Sequence, residues 1–117
     1  MGEKEKIVQC VLNYVDGWYE GNPSRMKLAL SKYLVKRRVV SENEIWDINK
    51  EWMINATTEG KGKIDTTKKA YKKVKILDKT EKMATVKLLS NEFTDYLHLI
   101  KCNESWEIVN VLCDFRK

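Results

Sequence analysis

From Tyr71 onward the apolar residues switch from helical spacing to strand spacing, and this switch constrains the fold more than any other feature of the chain. YKKVKILD, KMATVKLLS, FTDYLHLIKC and SWEIVNVLCDF read as four strands. The breaks DKTE, NE and NES are short enough for hairpins, which predicts an antiparallel meander.

The N-terminal part keeps helical periodicity. Ile7, Val11, Tyr14 and Trp18 form one stripe, widened by Val8, Val15 and Tyr19, and Gly21 is placed to end the helix. Asn22 can cap a second helix with Pro23 in its first position; this helix is expected to run to about Tyr33, with Met26, Ala29, Leu30 and Tyr33 on one side. LVKRRVVS, residues 34–41, reads as a short strand. INKEWMINATTEG reads as a third helix, with Asn49 as its cap and Ile48, Trp52 and Ala56 spaced by four. Helices followed by a run of strands predict an α+β fold, helices laid on one face of a curved antiparallel sheet, in a single domain spanning 1–117.

Composition narrows the classes. Hydrophobic residues at 43% and charged residues at 33% describe a globular chain. No apolar run approaches the roughly 20 residues of a membrane helix, and MGEKEKIVQCVLNYV is too charged for a signal peptide, so no membrane partner is expected. Cys10, Cys102 and Cys113 are an odd set without CxxC spacing, which reads as reduced thiols in a cytoplasmic protein; with one histidine there is no zinc motif, and neither metal nor cofactor is expected. The net charge of +5 comes from residues 61–75, which hold seven lysines and one aspartate. That segment lacks arginine and interleaved aromatics, so it reads as a lysine-rich loop and edge strand and not as a nucleic-acid surface.

The last two strands are apolar on both faces. If Tyr96, His98 and Ile100 face the helices, then Leu97, Leu99, Ile108 and Leu112 form a patch on the far side, which predicts a homodimer pressed sheet to sheet. His98 is then either a hydrogen-bonded core group or part of a pocket wall with Tyr14, Trp18, Trp52 and Tyr96, aromatic side chains that supply apolar area and a polar tip. Arg37 is the candidate for an anionic or carbonyl group at the pocket mouth, and a surface ion pair is its other reading.

NYVDGWYEGNPSRMKLALSKYLVKRRV, VKILDKTEKMATVKL and FTDYLHLIKCNESWEIVNVL together resemble the putative lumazine-binding family of the nuclear transport factor 2-like superfamily, over about Val8 to Phe115. The resemblance implies a cone of three N-terminal helices and a strongly curved, mainly antiparallel sheet around a hydrophobic cavity, dimeric through the outer sheet face. It does not fix an activity, since the superfamily includes ketosteroid isomerases, scytalone dehydratase, polyketide cyclases and binding modules. The isomerases use a carboxylate base near the first strand, but no Asp or Glu lies between Glu20 and Glu42 here. The position of their proton-donating acid falls near His98, and Tyr14 can stand for their phenol.

The expectation is therefore a homodimeric domain binding an unidentified small molecule through Tyr14, Trp18, Arg37, Trp52, Tyr96 and His98, with catalytic residues unassigned. Two alternatives stand beside it. One is a lyase or isomerase acting on an enolisable carbonyl compound through His98 and Tyr14; the other is a structural or interaction module.

Overall fold

The computed structural model describes residues 2–65 and 69–116. Helix α1, Glu3–Glu20, begins with Glu3 and Glu5 in its first turn, where carboxylates favour the helix dipole. It ends at Gly21, whose φ of 65° lies in the left-handed region that glycine adopts without strain. Asn22 then accepts a hydrogen bond from the Arg25 N–H, and Pro23 opens α2, Pro23–Ala29.

Helix α2 is shorter than its spacing predicts. Leu30 already pairs with Ile108 of the last strand, so ladder bonds replace the helix and Tyr33 stands 66% exposed on a strand. Strand β1 accordingly spans Leu30–Ser41. It turns into β2, Glu44–Ile48, a short edge strand that periodicity does not reveal because only Ile48 is buried. Helix α3, Lys50–Thr58, is capped as expected by Asn49, which accepts from the Trp52 N–H at 2.8 Å. Its buried face is Met53, Ala56 and Thr57, which leaves Trp52 half-exposed on the flank and Ile48 in the preceding strand.

Strands β3 (Lys72–Lys79), β4 (Met83–Ser90), β5 (Phe93–Cys102) and β6 (Ser105–Phe115) form the expected meander. The six strands make one mixed sheet in the order β2-β1-β6-β5-β4-β3, with β1 and β6 parallel. Helix α1 packs on β3, β4 and β6, α2 on α1 and β6, and α3 on α2 and β1, giving an α+β arrangement. Lysine-rich β3 is an edge strand; residues 66–68 of the lysine segment lie outside the described residues. Among the described residues no helix is long and apolar enough to cross a membrane.

The faces of β5 are the reverse of the expectation, and so is Ile108 on β6, whereas Leu112 lies on the outer face as expected. Leu97, Leu99 and Ile108 are fully buried under the helices, whereas Tyr96 and Leu112 are 45% and 46% exposed and His98 is exposed. Two causes are visible. The aliphatic pair on β5 buries more apolar area than tyrosine and histidine can, without a polar group to satisfy. On β6, Leu99 opposes Ile108 while His98 opposes Asn110, so Val109 is an extra residue in a bulge. The bulge lets Trp106 and Ile108 face the core at one end of β6 and Val111 and Cys113 at the other. Strict alternation cannot anticipate this.

Glu3 ties α1 to that hairpin. It accepts from the Trp106 indole N–H at 2.7 Å and from Lys101 Nζ at 3.0 Å. These contacts, the indole first, hold its carboxyl at about 2 against an ordinary 4.5. A carboxyl lowered in the folded state stabilises the fold above pH 4.5, and that contribution is lost as pH falls toward 2. Glu3→Gln is therefore expected to flatten the dependence of melting temperature on pH across that window, measured by circular dichroism. An unchanged acid slope would show that the contact carries no stability.

Candidate functional site

Tyr14 of α1, Lys36 of β1, Asp95 of β5 and Cys113 of β6 converge on a recess of about 80 Å³ between the helices and the inner sheet face. Trp18, Trp52, Met53 and Leu88 supply its apolar walls. Beside the recess lies a vestibule of about 240 Å³, the two sharing Trp18, Arg38, Trp52, Ser90 and Phe93. Gly62 packs against the Trp18 indole so closely that a Cβ at that position would overlap the ring, so the loop after α3 fixes this wall by having no side chain there.

The polar end is a chain of three groups. Lys36 Nζ donates to Tyr14 Oη at 2.6 Å and lies 3.6 Å from Met53 Sδ. Asp95 is 5% exposed, and its Oδ1 has no hydrogen-bond partner among the described residues. Burial raises the Asp95 carboxyl above its ordinary value, opposed by the Lys36 charge and by the Tyr14 hydroxyl. Burial likewise raises Tyr14 well above the usual phenol range, with the Asp95 charge adding to the effect. Cys113 is pushed up to about 11, mainly by burial, so its thiol is neutral at pH 7. A second buried polar atom, Arg38 Nε, also has no partner among the described residues. The arrangement presents a neutral phenol, an ammonium, a guanidinium and a carboxyl that ionises reluctantly, all against aromatic surface. It can recognise the polar edge of a small molecule by several hydrogen bonds at once.

The structure brings together Tyr14, Trp18 and Trp52 of the expected pocket. It places the other three elsewhere. Tyr96 and His98 point to the outer sheet face, where His98 Nδ1 is 3.1 Å from Asn110 Nδ2 and borders an open hollow of about 290 Å³. Arg37 is also on that face, bound to Asp47 Oδ1 at 2.8 Å, the surface ion pair that was its other reading. The sheet therefore lies between His98 and Tyr14, which removes the acid–base pairing of those two residues. Lys36, Arg38 and Asp95 take the places expected for Arg37 and His98. The signal for them was parity: Asp95 alternates with Leu97 and Leu99, and Lys36 and Arg38 alternate with Leu34.

The raised Asp95 carboxyl has a cost that can be measured. Its charged form is disfavoured in the folded state, so stability is lost as pH rises from the ordinary carboxylate value of 3.8 through the higher folded one. Asp95→Asn is expected to raise the melting temperature at pH 7, with the difference from wild type closing below pH 3.8. A variant less stable at pH 7 by the same melts would mean that the carboxylate is held by its neighbours at no net cost.

The fold and the sequence both have relatives. A nuclear transport factor 2-like protein of unknown function from Silicibacter pomeroyi superposes with a TM-score of 0.80 at 16% identity, over 99% of this chain and 100% of that one. A similar protein of unknown function from Shewanella baltica gives 0.77 at 17% identity, over 98% and 94%. A ketosteroid isomerase-like protein from Erwinia carotovora atroseptica gives 0.71 at 10% identity, over 100% and 99%. At these identities the likeness is one of fold. No curated protein matches the chain. The sequence profile of the family described as "Putative lumazine-binding" matches residues 2–112, and the chain belongs to that family.

Proposed function

We propose that this domain binds a small, planar, partly polar molecule in the recess beneath α1 and α3. The observation that carries the reading is a pair of buried polar atoms without a partner among the described residues, the acceptor Asp95 Oδ1 and the donor Arg38 Nε, on two residues that line one cavity. Buried polar atoms without partners are costly, so a ligand that offers both an N–H and a C=O repays more than its apolar area alone. Trp18 and Trp52 suit the faces of such a ring, and Tyr14 and Lys36 its oxygen atoms. The recess alone is smaller than the roughly 300 Å³ at which small-ligand pockets begin, so the ligand extends into the vestibule. The family's description names lumazine, a bicyclic ring with N–H groups beside carbonyls, and this makes it the natural first probe.

In a thermal-denaturation assay, saturating lumazine is expected to raise the melting temperature of the wild type. Tyr14→Phe and Trp52→Ala are expected to lose most of that shift, while His98→Ala, on the opposite face, keeps it. Loss of the shift in His98→Ala with retention in Trp52→Ala would move the site to the outer face.

The same reading includes assembly as a homodimer through the outer sheet face, with a patch different from the expected one. Leu97, Leu99 and Ile108 belong to the core; Val35, Met83, Tyr96 and Leu112 are among the large residues left 40–59% exposed there. Val35 and Leu112 flank Asn110, and Tyr96 opposes Leu112, so three of the four are neighbours across β1, β6 and β5. Isologous pairing would remove this surface from water. Sedimentation equilibrium is expected to give a dimer for the wild type and a monomer for Leu112→Glu; a wild-type monomer at tens of micromolar refutes the assembly without touching the cavity.

A further inference from the structure

We infer that the ligand carries an anionic group, a carboxylate or phosphate, and that Arg38 holds it where the recess and the vestibule adjoin. The inference deepens the cavity reading and rests on it. Arg38 borders both spaces. Its guanidinium carbon lies 4.3 Å from the Trp46 ring and 4.8 Å from the Phe115 ring, and Phe115 in turn stacks on Phe93 at 4.9 Å. Ring contacts of this kind hold the guanidinium plane in place while leaving its N–H edge free to donate.

That edge meets no carboxylate among the described residues: none lies within ion-pair distance of Arg38. The neighbouring arginine differs: Arg37 is satisfied by Asp47 on the outer face. Asp95 does not serve Arg38 either, since the cation acting on that carboxyl is Lys36. Across the vestibule Lys61 adds a second positive charge, its Nζ 5.3 Å from the Trp52 ring and 3.7 Å from Glu59. Glu92, also at the vestibule rim, is exposed to water, where its charge is screened. The cavity therefore has two poles. The Asp95–Tyr14–Lys36 end reads a polar ring edge, and the Arg38 end, with Lys61 opposite, reads negative charge. A planar heterocycle bearing a carboxylate or phosphate matches both.

Calorimetric titration of lumazine against its 6-carboxylate, at fixed ionic strength, tests the assignment. The carboxylate is expected to bind about tenfold more tightly to the wild type and to Arg37→Gln. Arg38→Gln is expected to bind the two compounds alike, each more weakly than the wild type binds lumazine, and Arg38→Lys to retain part of the preference, which separates charge from lost packing. Free inorganic phosphate is expected to compete more strongly with the carboxylate than with lumazine. Equal binding of the two compounds to the wild type, or a preference that survives Arg38→Gln, overturns the anionic subsite and leaves the cavity reading intact. Binding of neither compound overturns both.

Discussion

The constraint on which this structure turns is the burial of one carboxyl group. Asp95 sits on β5 between Thr94 and Tyr96, on the same face as Leu97 and Leu99, and cannot leave the core without taking those leucines with it. An ionised carboxylate in such surroundings costs several kcal/mol unless something answers it. Lys36 from β1 and Tyr14 from α1 answer it in part, and their convergence needs the first helix, the first strand and the fifth to be fixed relative to one another. The fixing is done at a distance. Glu3 anchors the start of α1 to Trp106 and Lys101, and near its end the Tyr19 hydroxyl donates to the Tyr71 carbonyl at 2.6 Å and accepts from the Asn91 N–H at 2.8 Å. With both ends tied to the sheet, Tyr14 between them is held over the recess.

The same constraint bears on what the cavity offers chemically. Tyr14 and Asp95 place a phenol and a reluctant acid together, but β1 brings Lys36 and Arg38 to the inner face. No carboxylate occurs between Glu20 and Glu42 to abstract a proton there. The first strand therefore brings positive charge, and no carboxylate, to the inner face of the cavity. Fold alone says nothing on this point; the inner-face residues of one strand do.

Much of the architecture is legible in the sequence because strong local signals agree with it. The α1 stripe, the Asn22-Pro23 restart, the Asn49 cap and the four strands of the meander each follow from period, capping or turn chemistry. What is not legible depends on tertiary pairing. Leu30 leaves the helix because Ile108 is beside it, and β2 forms because β1 offers an edge, though nearly all its side chains face water. The site was half legible for a related reason. Aromatic residues on α1 and α3 declare themselves by spacing, but which parity of β5 faces inward is decided by the whole sheet, and the Val109 bulge hides the answer on β6. Weighting the strand by its leucines, and not by its histidine, selects Asp95 over His98 and, through the same logic on β1, Arg38 over Arg37.

The most direct test of the account is a carbon-detected NMR titration of the Asp95 side-chain carboxyl, in the wild type and in Lys36→Met. A buried group facing a ligand cavity and restrained by one ammonium should titrate above the ordinary 3.8, and higher still once that ammonium is gone. A midpoint at or below 3.8 in the wild type, indifferent to the loss of Lys36, would place the carboxyl in water and contradict the cavity described above.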